Sequence, residues 1–205
     1  MELQKKKFLM YGFIPIILSI VIVFISGYFI SDYNQDSSNI QDGLKKVGIV
    51  EITVFDGKTG EIKSKEVVHN LAVNMGLNAT RDILGQGTQF GAFNVIALGN
   101  ASNATSAAAP AAGDTILSGE YLANGLSRAV GTYATLGASA GNWSIYKTFT
   151  SSGISGLTTN KTCLFNQTTV AGSTMLACVR FTDVTLDGTS SDTLLINWTN
   201  FVTSG

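Results

Sequence analysis

The chain has 205 residues, a net charge of −1 and 13% charged residues, which is roughly half the usual charged share. This length allows one domain with a sizeable core and an additional segment. The near-zero net charge excludes the strongly basic class of nucleic-acid-binding proteins. From Leu84 onward there are four basic and five acidic residues. The solubility of that part therefore has to come from glycans or from burial in an assembly.

A long apolar segment follows three lysines near the N-terminus. The run Phe8–Ile30 has 23 residues and no charge. As a helix it would span about 34 Å, enough to cross a hydrocarbon core of roughly 30 Å. Lysines at 5–7 precede it and acidic residues follow it, so the positive-inside rule places everything after residue 31 outside the cytoplasm. We expect residues 1–30 to form a basic N-terminus and a transmembrane or assembly helix.

Three interpretations of this segment remain open. It is a signal anchor, or a secretory signal, although its length and the poor cleavage site "ISGY" disfavour the latter. The third interpretation rests on "YGFIPIILSIVIVF" (11–24), which resembles the start of archaeal type IV pilins, where a glycine precedes the cleavage point and a proline often follows. Gly12 and Pro15 fit, and the resemblance implies cleavage before Phe13. The basic run departs from the pilin pattern because it ends at Lys7.

Residues 31–46 are polar and predict a stalk. An Asp-x-Asn-x-Asp spacing begins at Asp32, but the glycine and the final glutamate of a calcium loop are missing, so a solvated linker is favoured. The pattern changes at Val47, and we assign residues 47–205 to an extracytoplasmic domain.

The first element of this domain is a predicted β-hairpin. Val50, Ile52 and Val54 alternate with Glu51 and Thr53, as expected for a half-buried strand. The following "DGKTG" is turn chemistry, and "EIKSKEVVHN" returns as a second strand.

One helix is predicted after the hairpin. Asn70 can cap it, and Val73, Leu77 and Leu84 are spaced along one face. Gly85 is expected to end it.

The remainder predicts short strands separated by turns, which favours an antiparallel β-sandwich or jelly roll. In the last strand, Leu194, Ile196 and Trp198 are expected to face inward. The predicted strands are "FNVIALGN" (93–100), "SRAVGTYATLG" (127–137), "NWSIYKTFT" (142–150), "TCLFN" (162–166), "TMLACVRFTDV" (174–184) and "TLLINWTNFV" (193–202).

The order of several stretches resembles a known family. The chain is similar to a β-sandwich domain of phage tail and tail-fibre-like proteins and of uncharacterised archaeal or archaeal-virus surface proteins. The stretches that carry the resemblance are, in order, "HNLAVNMGLNATRDILGQG", "FNVIALGN", "AAPAAGDTILSGEYLANGLSRAVGTY", "KTFT", "CLFN", "TMLACVRF" and "DTLLINWT". The resemblance covers residues 47–205. It implies a structural or attachment role at a virion or cell surface and no reaction. The phage examples are soluble, so the membrane segment is a departure that favours a cell surface or an enveloped virion.

The two cysteines are expected to pair. A hairpin with Cys163 opposite Cys178 also places residue 164 opposite 177 and residue 165 opposite 176. Direct cross-strand neighbours are close enough for a disulfide, which an oxidising compartment would allow. Two buried free thiols are the alternative.

Asparagines in Asn-x-Ser/Thr triplets are candidate glycosylation sites on the outer side of a membrane. Asn142 begins a strand, Asn197 points outward from one, and Asn78 lies within the helix and is the weakest candidate. The other four fall in loops or at strand ends and are the best candidates. The seven sites are Asn78, Asn100, Asn103, Asn142, Asn160, Asn166 and Asn197.

The sequence predicts no catalytic residue, no cofactor and no metal site. His69 is the single histidine, and no cysteine cluster supports zinc. Lys147 is the one odd charge, on a strand face that is otherwise apolar, where it would pair with a carboxylate or form a covalent amide.

Two non-enzymatic functions are consistent with these features. The first is a structural subunit of an extracellular filament or surface layer, a homopolymer joined through the Phe8–Ile30 helices or through residues 39–55 added to a neighbour's sheet edge. The second is a membrane-tethered, tail-fibre-like attachment protein. Its loops 151–160 and 166–174 would contact surface glycans or a receptor. Neither function involves nucleic acid.

Overall fold

A computed structural model of the chain describes residues 48–100, 109–136 and 142–200. These residues contain ten β-strands and one α-helix, α1, which spans Asn74–Gln86. The strands are β1 Gly48–Phe55, β2 Ile62–His69, β3 Leu71–Ala72, β4 Val95–Gly99, β5 Ala129–Val130, β6 Thr132–Thr135, β7 Trp143–Thr150, β8 Ser155–Phe165, β9 Met175–Asp187 and β10 Thr193–Asn200.

Several predicted features lie outside the described residues. They are the apolar segment Phe8–Ile30 with its leader residues Gly12 and Phe13, the stalk 31–46 and the sequon at Asn103. Within the described ranges, no helix is long and apolar enough to cross a membrane.

The strands form two antiparallel sheets of five strands each. Sheet A has the order β2–β1–β10–β7–β6, and sheet B has the order β3–β9–β8–β4–β5. The sheets bury a shared apolar core, to which sheet A contributes Ile52 and Trp198 and sheet B contributes Ile96 and Leu164. The expected mainly β fold is confirmed in this form, as a sandwich of two antiparallel sheets.

Two strands of sheet A show the predicted alternation. Val50, Ile52 and Val54 of β1 are buried in the core, and the same holds for the inward residues of β10, Leu194, Ile196 and Trp198. β1 lies between β2 and β10. The part of residues 39–55 that forms β1, considered above as a strand for a neighbour, is therefore used within its own sheet.

Two segments pass from one sheet to the other at the sides of the sandwich. β2 of sheet A continues through Asn70 into β3 of sheet B, and β5 of sheet B continues through Gly131 into β6 of sheet A. A Cβ at position 131 would lie 2.7 Å from Cγ2 of Ile145. The second crossing therefore requires glycine.

The helix begins and ends later than predicted. It begins at Asn74, and Asn70 does not cap it, because both polar side-chain atoms of Asn70 are buried without a hydrogen-bond partner among the described residues. Gly87, with a φ of 66°, ends the helix in the left-handed conformation that favours glycine, so the predicted end at Gly85 is wrong.

The helix also buries a different face from the one predicted. Gly76 and Ala79 are buried, whereas Leu77 and Leu84 are 49% and 82% exposed. A Cβ at position 76 would lie 2.2 Å from the carbonyl oxygen of Leu176. The helix approaches the backbone of β9 so closely that small residues have to face it.

Two strand boundaries differ from the predictions. β8 begins at Ser155 rather than near residue 162, so much of the expected loop 151–160 belongs to sheet B. The stretch 127–137, expected as one strand, is divided at Gly131 into β5 and β6.

The carboxylate of Asp192 connects the turns at one end of the sandwich. It is fully buried and accepts hydrogen bonds from Nζ of Lys63 at 2.8 Å and from the backbone N–H groups of Gly57 and Asp187 at 3.1 and 2.9 Å. The Asp192 carbonyl oxygen accepts bonds from the N–H and the hydroxyl of Ser151, both at 2.9 Å. One residue thus joins the β1–β2, β7–β8 and β9–β10 turns.

These contacts stabilise the ionised form of Asp192. Burial by itself would raise the pKa of the carboxyl, but Lys63 and the backbone donors hold this pKa at about 2, below the usual 3.8. The pKa values of Asp56 and Asp187 are also lowered, in each case mainly by a hydrogen bond from a threonine of the same turn. Because the folded pKa values are depressed, this contribution to stability is present above the unfolded pKa and is lost as the pH falls through the folded one.

We expect Asp192→Asn to lower the free energy of unfolding by about 2 kcal/mol at neutral pH, because the hydrogen bonds to a buried charge are lost. The wild-type protein should lose stability as the pH falls from 3.8 toward about 2. The variant should lose less over the same window. Urea unfolding at a series of pH values measures both effects. Glu61→Gln, which changes an exposed carboxylate of the β1–β2 turn, is the control, and equal pH profiles for the wild type and Asp192→Asn would contradict the prediction.

Candidate functional site: the covered face of sheet B and the sequons

Cys163 of β8 and Cys178 of β9 are direct cross-strand partners. Their Cα atoms are 4.2 Å apart and a disulfide joins them, which confirms the predicted pairing. One position of the predicted register is wrong. Phe165 opposes Met175, because an irregularity interrupts the ladder after residue 164.

The disulfide lies in a second apolar core, on the side of sheet B that faces away from sheet A. Val73, Met75 and Leu117 belong to this core together with both cysteines. The Sδ atom of Met175 lies 2.9 Å from Sγ of Cys178. The helix region and the loop containing Leu117 therefore cover this face of sheet B.

A buried ion pair fastens the β8–β9 loop to the same face. The Arg128 guanidinium donates two hydrogen bonds to the Glu120 carboxylate, both at 2.5 Å. It lies 4.1 Å from the ring centroid of Phe165, and it donates to the backbone carbonyls of Gln167 and Thr169. Sequence reasoning missed this network because Glu120 and Arg128 lie in a stretch without periodicity, and the loop carbonyls are 39 and 41 positions from Arg128.

A cleft of about 280 Å³ opens at another part of this face. The segment Ala109–Ser118 forms one wall, and Lys161 of β8 and Cys178 of β9 lie on the other side. Lys161 is 5% exposed. Burial and the neighbouring positive charge of Arg180 lower the pKa of its ammonium group, while Asp114 acts in the opposite direction.

In two of the sequons expected in loops, the asparagine side chain is held by hydrogen bonds within the fold. Asn160 lies inside β8, is 2% exposed and donates from Nδ2 to Asp183. The expectation that it falls in a loop is wrong because β8 begins earlier than predicted. Asn166 is in a loop, but its Nδ2 donates to the carbonyl of Phe90 and its Oδ1 accepts from the N–H of Thr174.

The other described sequons are more open. Asn78 is exposed on the helix, although the sequence made it the weakest candidate. Asn142, directly before β7, and Asn197, on β10, are half-buried. Asn100 is half-buried, and its side chain is hydrogen-bonded to Tyr121. Glycosylation of these residues stays a prediction.

The remaining candidate groups are isolated. His69 is exposed at the end of β2, opposite Ile49. Lys147 lies opposite Ile196, and none of the ion pairs between described residues includes it. Among the described residues, no group of three or more histidines, cysteines or carboxylates could hold a metal ion.

We expect Cys163→Ala/Cys178→Ala to lower the free energy of unfolding by about 3 kcal/mol, because the disulfide closes a short loop in the unfolded chain. Urea unfolding measures the loss, and mass spectrometry without reduction measures the disulfide itself. The wild type treated with a reductant should unfold at the same lowered urea midpoint. An unchanged midpoint in both experiments would refute a stabilising disulfide.

Glycopeptide mapping of the mature protein should find sugar on the peptide containing Asn78 and none on the peptide containing Asn160. The reason is access, since the amide of Asn160 is buried in a sheet and that of Asn78 is solvated. Asn78→Gln should remove the mass of the sugar attached at Asn78, and Asn160→Gln should leave the attached sugar mass unchanged. Sugar on Asn160 in the folded protein would contradict the expectation.

No family model matches the chain, and no curated protein matches it. The sites are therefore interpreted from their own geometry. The resemblance to tail-fibre-like and pilin sequences stays an expectation.

Proposed function

We propose that the chain is a non-enzymatic structural glycoprotein and forms one subunit of an extracellular filament or surface assembly. The observation that carries this proposal is the outward side of sheet A. A row of neighbouring side chains crosses it, consisting of Val67, Glu51, Asn197 and Tyr146. Val67 is 53% exposed and Tyr146 is 40% exposed.

The two sheets differ in how their outer sides are covered. The helix packs against β9 of sheet B. The outer side of sheet A is covered only in part, since Thr53 and Ser144 on it are buried while Val67 and Tyr146 are exposed. Threonines and partly exposed apolar residues, such as Leu195 in the next row, occupy this side. Exposed apolar surface on a soluble domain marks an interaction site. This supports contact with further copies of the chain.

The polar groups of the interior favour a structural role over a reaction. Asp192 is held by donors from neighbouring turns, and Arg128 is paired with Glu120. Such fully hydrogen-bonded groups rigidify a fold. A rigid, disulfide-linked domain with few charges suits a repeated surface subunit.

Electron microscopy of the full-length protein in surface material tests the proposal, and long homopolymeric fibres are the expected result. Val67→Lys/Tyr146→Lys should shorten or abolish the fibres, because buried charge opposes association, while the thermal unfolding midpoint changes little at these exposed positions. Leu77→Lys/Leu84→Lys is the matched control, with two equally apolar exposed positions on the helix. Monomeric wild-type protein, or equal effects of both pairs, would contradict the proposal.

Attachment to a receptor is the alternative function. The β8–β9 loop favours it, because Arg128 holds this loop while Val170 in it is 46% exposed. A fixed loop with an apolar residue suits binding to a partner. Sparse single spikes in the same micrographs would support attachment over the filament.

A further inference from the structure

The cleft on the outer side of sheet B has fixed walls. Leu117 packs above Gly99, and its Cδ1 lies 3.0 Å from the position that a Cβ of Gly99 would take. The carbonyl of Ala112 accepts a hydrogen bond from the N–H of Asn74 at 2.7 Å. The Asp114 carboxylate accepts one from the N–H of Ala111 at 2.9 Å. The loop is therefore held at both the sheet and the helix.

The charges around the cleft favour a negative ligand. Lys161 and Arg180 are direct cross-strand partners on β8 and β9, and like charges in this position repel each other. Lys161 is 95% buried, since 5% of its surface is exposed. Both cations have a further interaction. A bound anion would add to those interactions and offset the repulsion.

The other residues that line the cleft favour some kinds of anion over others. Pro110, Ile116 and Leu117 provide apolar surface, which suits an organic molecule better than an inorganic ion. Asp114 also lines the cleft, and its negative charge opposes a dianion more than a monoanion. The volume of about 280 Å³ corresponds to about nine water molecules at about 30 Å³ each. A monosaccharide-sized molecule is therefore a suitable ligand.

We propose that this cleft binds a small organic monocarboxylate, with the Lys161 ammonium contacting the carboxylate and Asp114 limiting the affinity for anions of higher charge. The proposal is independent of the filament function. Such a binding site is equally compatible with a receptor-binding protein and with a surface protein that does not polymerise.

D-glucuronate is the probe, added to the full-length protein at constant ionic strength, with D-glucose and sulfate as comparison ligands. Binding is measured as the rise in the thermal unfolding midpoint and as a saturable heat in calorimetric titration. Glucuronate should raise the midpoint and give a saturable heat. Glucose should do neither, and sulfate should bind more weakly. Equal effects of glucuronate and sulfate, or no effect of glucuronate, would overturn the proposal.

Variants distinguish binding in the cleft from a general effect of the charge of the protein. Lys161→Met should weaken glucuronate binding roughly tenfold or more, because a charge-assisted hydrogen bond is lost. Asp114→Asn should tighten it by about threefold, because a nearby negative charge is removed. Lys147→Met removes a lysine from the other sheet and should leave the affinity unchanged. If Lys161→Met fails to fold, the comparison of Asp114→Asn, which should tighten binding, with Lys147→Met, which should not change it, still tests the proposal, and equal affinity in both would refute it.

Discussion

The buried carboxylate of Asp192 is the interaction on which one end of the sandwich depends. Its partners belong to turns that join three different strand pairs, so the positions of β1, β7 and β10 at that end are set together. An unpaired charge in this position would be costly, and the lowered pKa shows that the donors more than offset the desolvation. A single buried charge thus fixes the geometry of these turns, which have few apolar side chains to pack together.

The other buried charges of the described domain lie on sheet B. Arg128 and Glu120 hold the β8–β9 loop, and Lys161 lies beneath the Ala109–Ser118 segment. Sheet A presents on its outer side threonines, apolar residues and an exposed ion pair between Lys65 and Glu51. The two sheets therefore use the few charges of the chain in different ways. The chain itself covers the outer side of sheet B, whereas the outer side of sheet A stays partly exposed.

The alternation of apolar and polar residues correctly predicted which residues of two strands face inward and which cysteines pair. The inward residues of β1 and β10 and the Cys163–Cys178 pair follow from alternation within single strands or one hairpin. The buried face of the helix could not be predicted, since the backbone of β9 at Leu176 determines it. The Asp192 network could not be predicted either, because Lys63 lies 129 positions away in sequence. The burial of Asn160 was missed because the start of β8 carries strand-disfavouring glycine and serine.

The central position of β1 has a mechanical consequence. Gly48, its first residue, is bonded directly to the N-terminal segment, and β1 has antiparallel neighbours on both sides. A pull on the N-terminal segment along the strand axis would load both hydrogen-bond ladders in shear, so many bonds would have to break together. Asn200 at the end of β10 pairs with Gly48, so the two ends of sheet A that continue into the rest of the chain lie side by side, and tension between them would open the β1–β10 ladder one bond at a time. Sheet A therefore resists a pull on one end against the body of the sandwich, but yields more easily to tension between its two ends.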